Sequence, residues 1–168
     1  MQLTSSSSPL DRRRLLLAAG VLAGTSLSGC AMLGMGGPAT LKADVVAGAQ
    51  VNPDSRKRPS PVVVRVFELK TSTLFEQADF VSLFEKEQAV LGAELVSREE
   101  FVLRPGETKP LNKPLSPDTK FIGVMAAFRE LERARWRVIV PVAAGKKNVM
   151  NISLDDIILQ AKRTSPSM

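Results

Sequence analysis

The sequence predicts an all-β fold, a two-sheet β-sandwich with a small helical insertion, and three observations predict it. Stretches of two-residue apolar periodicity recur between residues 40 and 161, rich in the β-branched residues that pack well on a pleated surface. Only one stretch, residues 71–92, switches to helical spacing. Between the first two periodic stretches, the three prolines of residues 52–61 suppress regular structure.

Ahead of these elements lies a leader. Residues 11–32 read "DRRRLLLAAGVLAGTSLSGCAM": three arginines, a 13-residue apolar run over 15–27, two small residues, and then Cys30, the single cysteine of the chain. A secretory h-region runs roughly 7–15 residues and a spanning helix needs about 20, so the run reads as a signal rather than a permanent span. Leu27-Ser28-Gly29-Cys30 resembles the bacterial lipobox. That resemblance implies a signal peptide over 1–29, cleavage before Cys30 and a lipid on its sulfur. A buried free cysteine is the alternative role, but such a residue need not follow a charged and then apolar segment. The triple arginine also resembles a twin-arginine signal, which leaves the export route open. Residues 30–39 form the tether; their "GMGG" lacks the Gly-Lys-Ser/Thr ending of a phosphate loop.

Cleavage before Cys30 leaves 139 of the 168 residues, the length of one domain. The leader holds three arginines and one aspartate, so its removal lowers the formal charge from +6 to +4. This modest, interspersed charge on an exported chain argues against nucleic acid as a partner. With one cysteine no internal disulfide can form, and the core must hold the fold. With no histidine, neither a Ser/His/Asp nor a Cys/His arrangement can be built, and imidazole metal ligands are missing. Glu99-Glu100 and Asp155-Asp156 are adjacent carboxylates, which a strand would point to opposite faces, so they read as solvated or turn residues. The expectation is no catalytic residue, no metal, no cofactor beyond the covalent lipid, and no small-molecule substrate.

The elements follow in order over 40–163, with 164–168 as a tail. "TLKADVVAGAQV" (40–51) places Leu41, Ala43, Val45, Ala47 and Ala49 on one face of a first strand. "PVVVRVFELK" (61–70) and "FIGVMAAF" (121–128) are apolar on both faces, as central strands are. "EEFVLRP" (99–105) is a further strand, and "KNVMNISLDDIILQA" (147–161) is a pair divided by an Asp-Asp turn. In "ARWRVIVPV" (134–142), Ala134, Trp136, Val138, Val140 and Val142 face one way and Arg135, Arg137 and Ile139 the other. Trp136 is then a core anchor. In residues 71–92, Phe80, Leu83, Phe84 and Leu91 mark two short helical pieces meeting near Asp79, with a capping box at Thr73-x-x-Glu76 and a stop at Gly92. Their apolar face is expected to cover an edge or end of a sheet.

The connection "NPDSRKRPSP" (52–61) carries three prolines and an Arg-Lys-Arg tip. It fits a solvated loop that keeps an edge from pairing. It also fits a partner site, because a stiffened loop loses less entropy on binding than a glycine-rich one. Composition leaves both readings open.

Together, the lipobox cysteine, "VNPDSRKRPSPVVVRVFEL", "FEQADFVSLFEKEQAVLGAEL", "LRPGE" and "FIGVMAAFRELERARWR" resemble, in this order, the outer-membrane lipoproteins of bacterial type VI secretion systems, the TssJ family. The resemblance implies a transthyretin-like sandwich and a non-enzymatic role. It implies a lipid anchor in the outer membrane, on the periplasmic side, and binding to the periplasmic C-terminal domain of the inner-membrane protein TssM. The loop associated with that contact corresponds here to Asn52, Pro53, Asp54, Ser55, Arg56, Lys57, Arg58, Pro59 and Ser60. One departure bears on its shape: a glycine often precedes the Arg-Pro-Ser-Pro of the family, and here Lys57 does. Ala31 follows the cysteine where inner-membrane lipoproteins tend to carry aspartate, which favours the outer membrane. The other reading from a different class is a lipoprotein carrier whose sandwich encloses an apolar pocket.

Overall fold

Strict alternation makes the first strand. β1 (Thr40–Ala47) buries Leu41, Ala43, Val45 and Ala47 and exposes Lys42 and Asp44. It ends before Ala49, which is exposed in a turn; the next buried position is Val51. The computed structural model describes residues 37–164. The expected signal peptide over 1–29, Cys30 with most of the expected tether, and residues 165–168 lie outside the described residues.

Seven further strands follow: β2 (Val62–Leu69), β3 (Leu95–Leu103), β4 (Thr108–Pro114), β5 (Phe121–Ala127), β6 (Arg137–Pro141), β7 (Lys147–Asp155) and β8 (Ile158–Arg163). They form two four-stranded sheets, β4-β1-β7-β8 and β3-β2-β5-β6. All pairings are antiparallel except β1 with β7. This is the two-sheet, transthyretin-like sandwich expected from the residues and the resemblance together. The two apolar runs, β2 and β5, are adjacent and central, as their burial on both faces requires.

β4 is absent from the expectations above. "TKPLNKP" holds two prolines and two lysines, and it pairs only with β1, at the edge of its sheet, where a missing backbone N–H costs least. β3 begins four residues earlier than predicted. Its adjacent glutamates do point to opposite faces, yet Glu100 is no idle solvated group: its carboxylate accepts from the Arg65 guanidinium at 2.5 Å.

Two apolar layers result. Between the sheets lie Leu41, Val45, Val64, Val66, Val124, Ile152 and Leu154 with their neighbours. On the outer face of the β2-containing sheet, Phe67, Leu69 and Met125 meet Phe75, Leu83 and Leu91 from the helical insertion. That insertion has three helices rather than two, α1 (Thr73–Gln77), α2 (Phe80–Glu85) and α3 (Glu87–Leu91), followed by a 3-10 turn, Gly92–Glu94. It covers a sheet face, not an edge or end. The expected capping box is absent, since Ser72 is the N-cap of α1 and makes no side-chain cap. Asp79 caps α2, accepting from the Ser82 amide at 2.9 Å and its hydroxyl at 2.6 Å, contacts that hold its carboxyl below the usual range. Gly92 closes α3 with φ +50°, as predicted.

Helices of five or six residues do not stand alone in water. Two arginines pin these to the sheet by their carbonyl ends. Arg137 donates to the carbonyls of Phe75 and Ala78, at 3.0 and 2.6 Å, at the end of α1. Arg65, itself buried, donates to Phe84 O at 2.6 Å at the end of α2 and pairs with Glu87 at 2.8 Å. Both satisfy carbonyls that a helix end leaves without partners. Trp136 is half-buried and touches both layers; it meets Phe80 edge-on at 5.3 Å, so it joins the layers rather than sitting in one.

Candidate partner-binding loop

The loop over residues 52–60 sits at one end of the sandwich. β1 and β7 finish there, β3 and β5 finish there, and β2, β4, β6 and β8 begin there. The described chain enters β1 from the opposite end. Eight residues of strand separate the two ends, about 26 Å at the usual rise.

A neck closes the loop. The Ser60 amide donates to Val51 O at 3.1 Å, and the Asn52 amide donates to Asp156 O at 2.7 Å. The Asn52 side chain donates to Pro61 O at 2.7 Å and accepts from the Arg129 amide at 2.8 Å. Its φ of +51° is one that asparagine tolerates better than most residues. Asn52 and Ser60 are buried at 2% and 8% exposure, so of the nine residues expected to form the contact these two serve the neck and offer no side chain outward.

Beyond the neck the chain folds on Asp54. One carboxylate oxygen accepts from the amides of Arg56 and Arg58, at 2.8 and 3.0 Å; the other accepts from the Arg58 guanidinium at 2.8 Å. The Asp54 amide donates to Arg58 O and the Lys57 amide to Asp54 O, both at 2.9 Å. These donors, the Arg58 amide first, hold the Asp54 carboxyl below its ordinary range. Lys57 has φ +61°, the left-handed conformation for which glycine is the usual residue. The departure from glycine therefore leaves the turn intact, with a side chain where the family often has none.

The product is a preformed knuckle. Ser55, Arg56, Lys57, Arg58 and Pro59 are exposed, and Pro53 and Asp54 are half-exposed. Arg58 is paired with Asp54 at 2.7 Å, whereas Arg56 and Lys57 make no ion pair with another described residue. Sequence reasoning treated the three cations alike. It also missed the neighbour: Asn52 ties Arg129, and with it the exposed "RELER" connection (129–133), beside the loop. A contact between residues 77 positions apart leaves no local signal in the chain.

Among the described residues no group of three or more His, Cys, Asp or Glu is placed to hold a metal, and no helix is long and apolar enough to cross a membrane.

The comparisons with known proteins agree in kind. The crystal structure of the T6SS lipoprotein TssJ1 from Pseudomonas aeruginosa is similar at 30% identity and a TM-score of 0.76, over 78% of this chain and 100% of that one. Serratia marcescens Lip, described as a membrane bound component of the type VI secretion system, is similar at 27% identity and TM-score 0.68, over 73% of this chain and 96% of its own. A chain of a structure described as the T6SS protein TssM C-terminal domain (869-1107) from EAEC is similar at 26% identity and TM-score 0.60, over 74% of this chain and 98% of that one. Among curated proteins no sequence match was found. The profile described as Type VI secretion lipoprotein, VasD, EvfM, TssJ matches residues 39–157. The strand order, the helix-covered sheet face and this match over most of the chain lead to one conclusion: the chain belongs to the TssJ/VasD family of type VI secretion lipoproteins.

Proposed function

We propose that the chain is anchored in the outer membrane by a lipid on Cys30 and binds the periplasmic C-terminal domain of a TssM-like inner-membrane protein, helping to build the envelope-spanning secretion complex. Its role is that of a scaffold, with no reaction of its own. The single observation that carries this reading is the knuckle over residues 53–59, folded before any partner arrives and set at the end of the sandwich away from the tether. Its order costs a partner little entropy. The side chains of Arg56 and Lys57, which make no ion pair with another described residue, suit acidic or carbonyl acceptors. The similarity to a chain of a structure described for the TssM C-terminal domain supports the choice of partner.

Calorimetry with the soluble domain and the purified TssM periplasmic domain tests it. Replacing residues 54–58 by a Gly/Ser linker should abolish binding while thermal unfolding stays near wild type, because the neck at Asn52 and Ser60 is kept. Arg56→Glu with Lys57→Glu should weaken binding more at low than at high salt. Unchanged affinity in the linker variant would move the contact to another surface. In cells, Cys30→Ser should abolish fatty-acid labelling and membrane retention; equal labelling would refute the anchor.

A further inference from the structure

The end of the sandwich opposite the loop is strongly cationic. It is built from residues 37–41, the junction of β2 and β3 over 69–72 and 92–95, the β4–β5 connection over 114–121, the β6–β7 turn over 141–148 and the last strand residues, 161–164. Lys70, Lys120, Lys146, Lys147, Lys162 and Arg163 are exposed there; of the two acidic residues in these segments, Asp118 pairs with Lys70 at 3.4 Å and Glu94 is half-buried. The loop end is different in kind, since Glu130, Glu132, Asp155 and Asp156 are exposed among its arginines.

The Lys146-Lys147 pair is held in place. Asn148, buried at 2% exposure, accepts from the Ala143 amide at 2.8 Å and donates to the carbonyls of Ala143 and Lys146 at 3.1 and 3.0 Å. The Thr40 amide donates to Lys146 O at 3.1 Å, so this turn lies directly beside the point where the described chain begins its first strand. Six residues separate Cys30 from Gly37, and the seven steps between them reach at most about 25 Å.

We propose that this end of the sandwich is a docking face for anionic phospholipid headgroups, so that the domain rests on the bilayer and holds its loop end away from it. The inference rests on the reading of Cys30 as the anchor for its place in the cell, but the surface itself can be tested without the lipid. Beside a lipid anchor, a basic patch is a common second contribution to membrane binding. Near an anionic surface each cation strengthens binding roughly fivefold, an effect that salt screens. A cationic face beside the tether is where that second contribution would act.

The test uses residues 37–164, which contain the eight described strands and both apolar layers; 78% of this chain covers the whole of the solved TssJ1 chain. Binding to phosphatidylcholine vesicles containing roughly a third phosphatidylglycerol is measured by co-sedimentation at low salt, against pure phosphatidylcholine. The domain should bind only the anionic vesicles. Lys146→Glu with Lys147→Glu should weaken this by tenfold or more, and Lys120→Glu with Lys162→Glu similarly. Arg56→Glu with Lys57→Glu, which alters net charge by the same amount at the other end, should change it by less than about twofold. Equal loss in all three variants would reduce the effect to net charge, and absence of anionic binding in the wild type would overturn the proposal outright. Should the first variant fail to fold by circular dichroism, the second decides. Neither result depends on Cys30, whose lipidation the fatty-acid labelling reports separately.

Discussion

The two apolar layers of this domain are built by different means. The layer between the sheets is aliphatic, assembled from Val, Leu, Ile and Ala at alternating strand positions. Its tether end is closed by one buried carboxylate, Glu68, which accepts from Lys113, Ser97, Thr119 and the Ser116 amide. The outer layer is aromatic and pinned: Phe67 and Phe75 meet at 5.3 Å, Phe80 and Phe84 stack at 5.4 Å, and Arg65 lies 4.2 Å over Phe84. The difference follows from what each layer joins. Sheets carry their own hydrogen-bond ladders and need only a complementary face, whereas helices of one or two turns hold their shape only if large rings and charged pins supply the order that length does not.

The contrast is open to attack, most forcefully through Phe75. This ring is fully buried, and Phe75→Ala should cost about 3–5 kcal/mol in urea unfolding. If α1 is an independent appendage instead, the unfolding midpoint will stay near that of wild type while protease cleaves within 73–91.

A smaller effect is expected at Glu68. Burial raises its pKa, but Lys113, then Thr119, Ser97 and the Ser116 amide outweigh it, and the carboxyl titrates below its ordinary 4.5. The folded value is the lower one, so its contribution is complete above about pH 4.5 and is lost as pH falls through the folded value. Glu68→Gln should destabilise by about 2 kcal/mol at pH 7, with the gap to wild type closing in acid. A gap constant from pH 7 to pH 3 would show that the charge is immaterial.

The gentlest probe is Gly123. A Cβ there would lie 3.0 Å from Leu69 and 3.1 Å from the Phe75 ring, where β5 passes under α1. Gly123→Ala should cost about 1 kcal/mol by displacing that ring. Combined with Phe75→Ala the glycine substitution should cost less, only the Leu69 methyl still having to give way, and a double-mutant cycle without coupling would mean that the ring does not constrain this position.

Much of the sandwich was legible because its signal is local. Two-residue alternation identified β1, the β7–β8 pair with its Asp-Asp turn, and the inward set on β6; continuous β-branched runs identified the central β2 and β5. β4 escaped because its prolines and lysines suit an edge, and an edge strand shows little apolar pattern. The insertion was recognised as helical from Phe80, Leu83 and Leu91, but its division into three pieces depends on Arg65 and Arg137, which sit on strands. The loop was legible in position and charge. The separate fates of its residues, with Asn52 and Ser60 inside and Arg58 paired with Asp54, were not.

By itself, then, the amino-acid sequence determined what is periodic or contiguous: the strand phases, the all-β class and the composition of the loop. Tertiary structure alone decided which distant groups meet. It set Asn52 against Arg129 and Asp156, stacked three short helices on a sheet face through Phe75 and two arginines, and sent an acid-poor cationic surface to the end opposite the loop. The physical reason is that a strand's pattern records only which side is buried, while pairing across sheets and ends depends on chain reversals whose partners lie tens of residues apart.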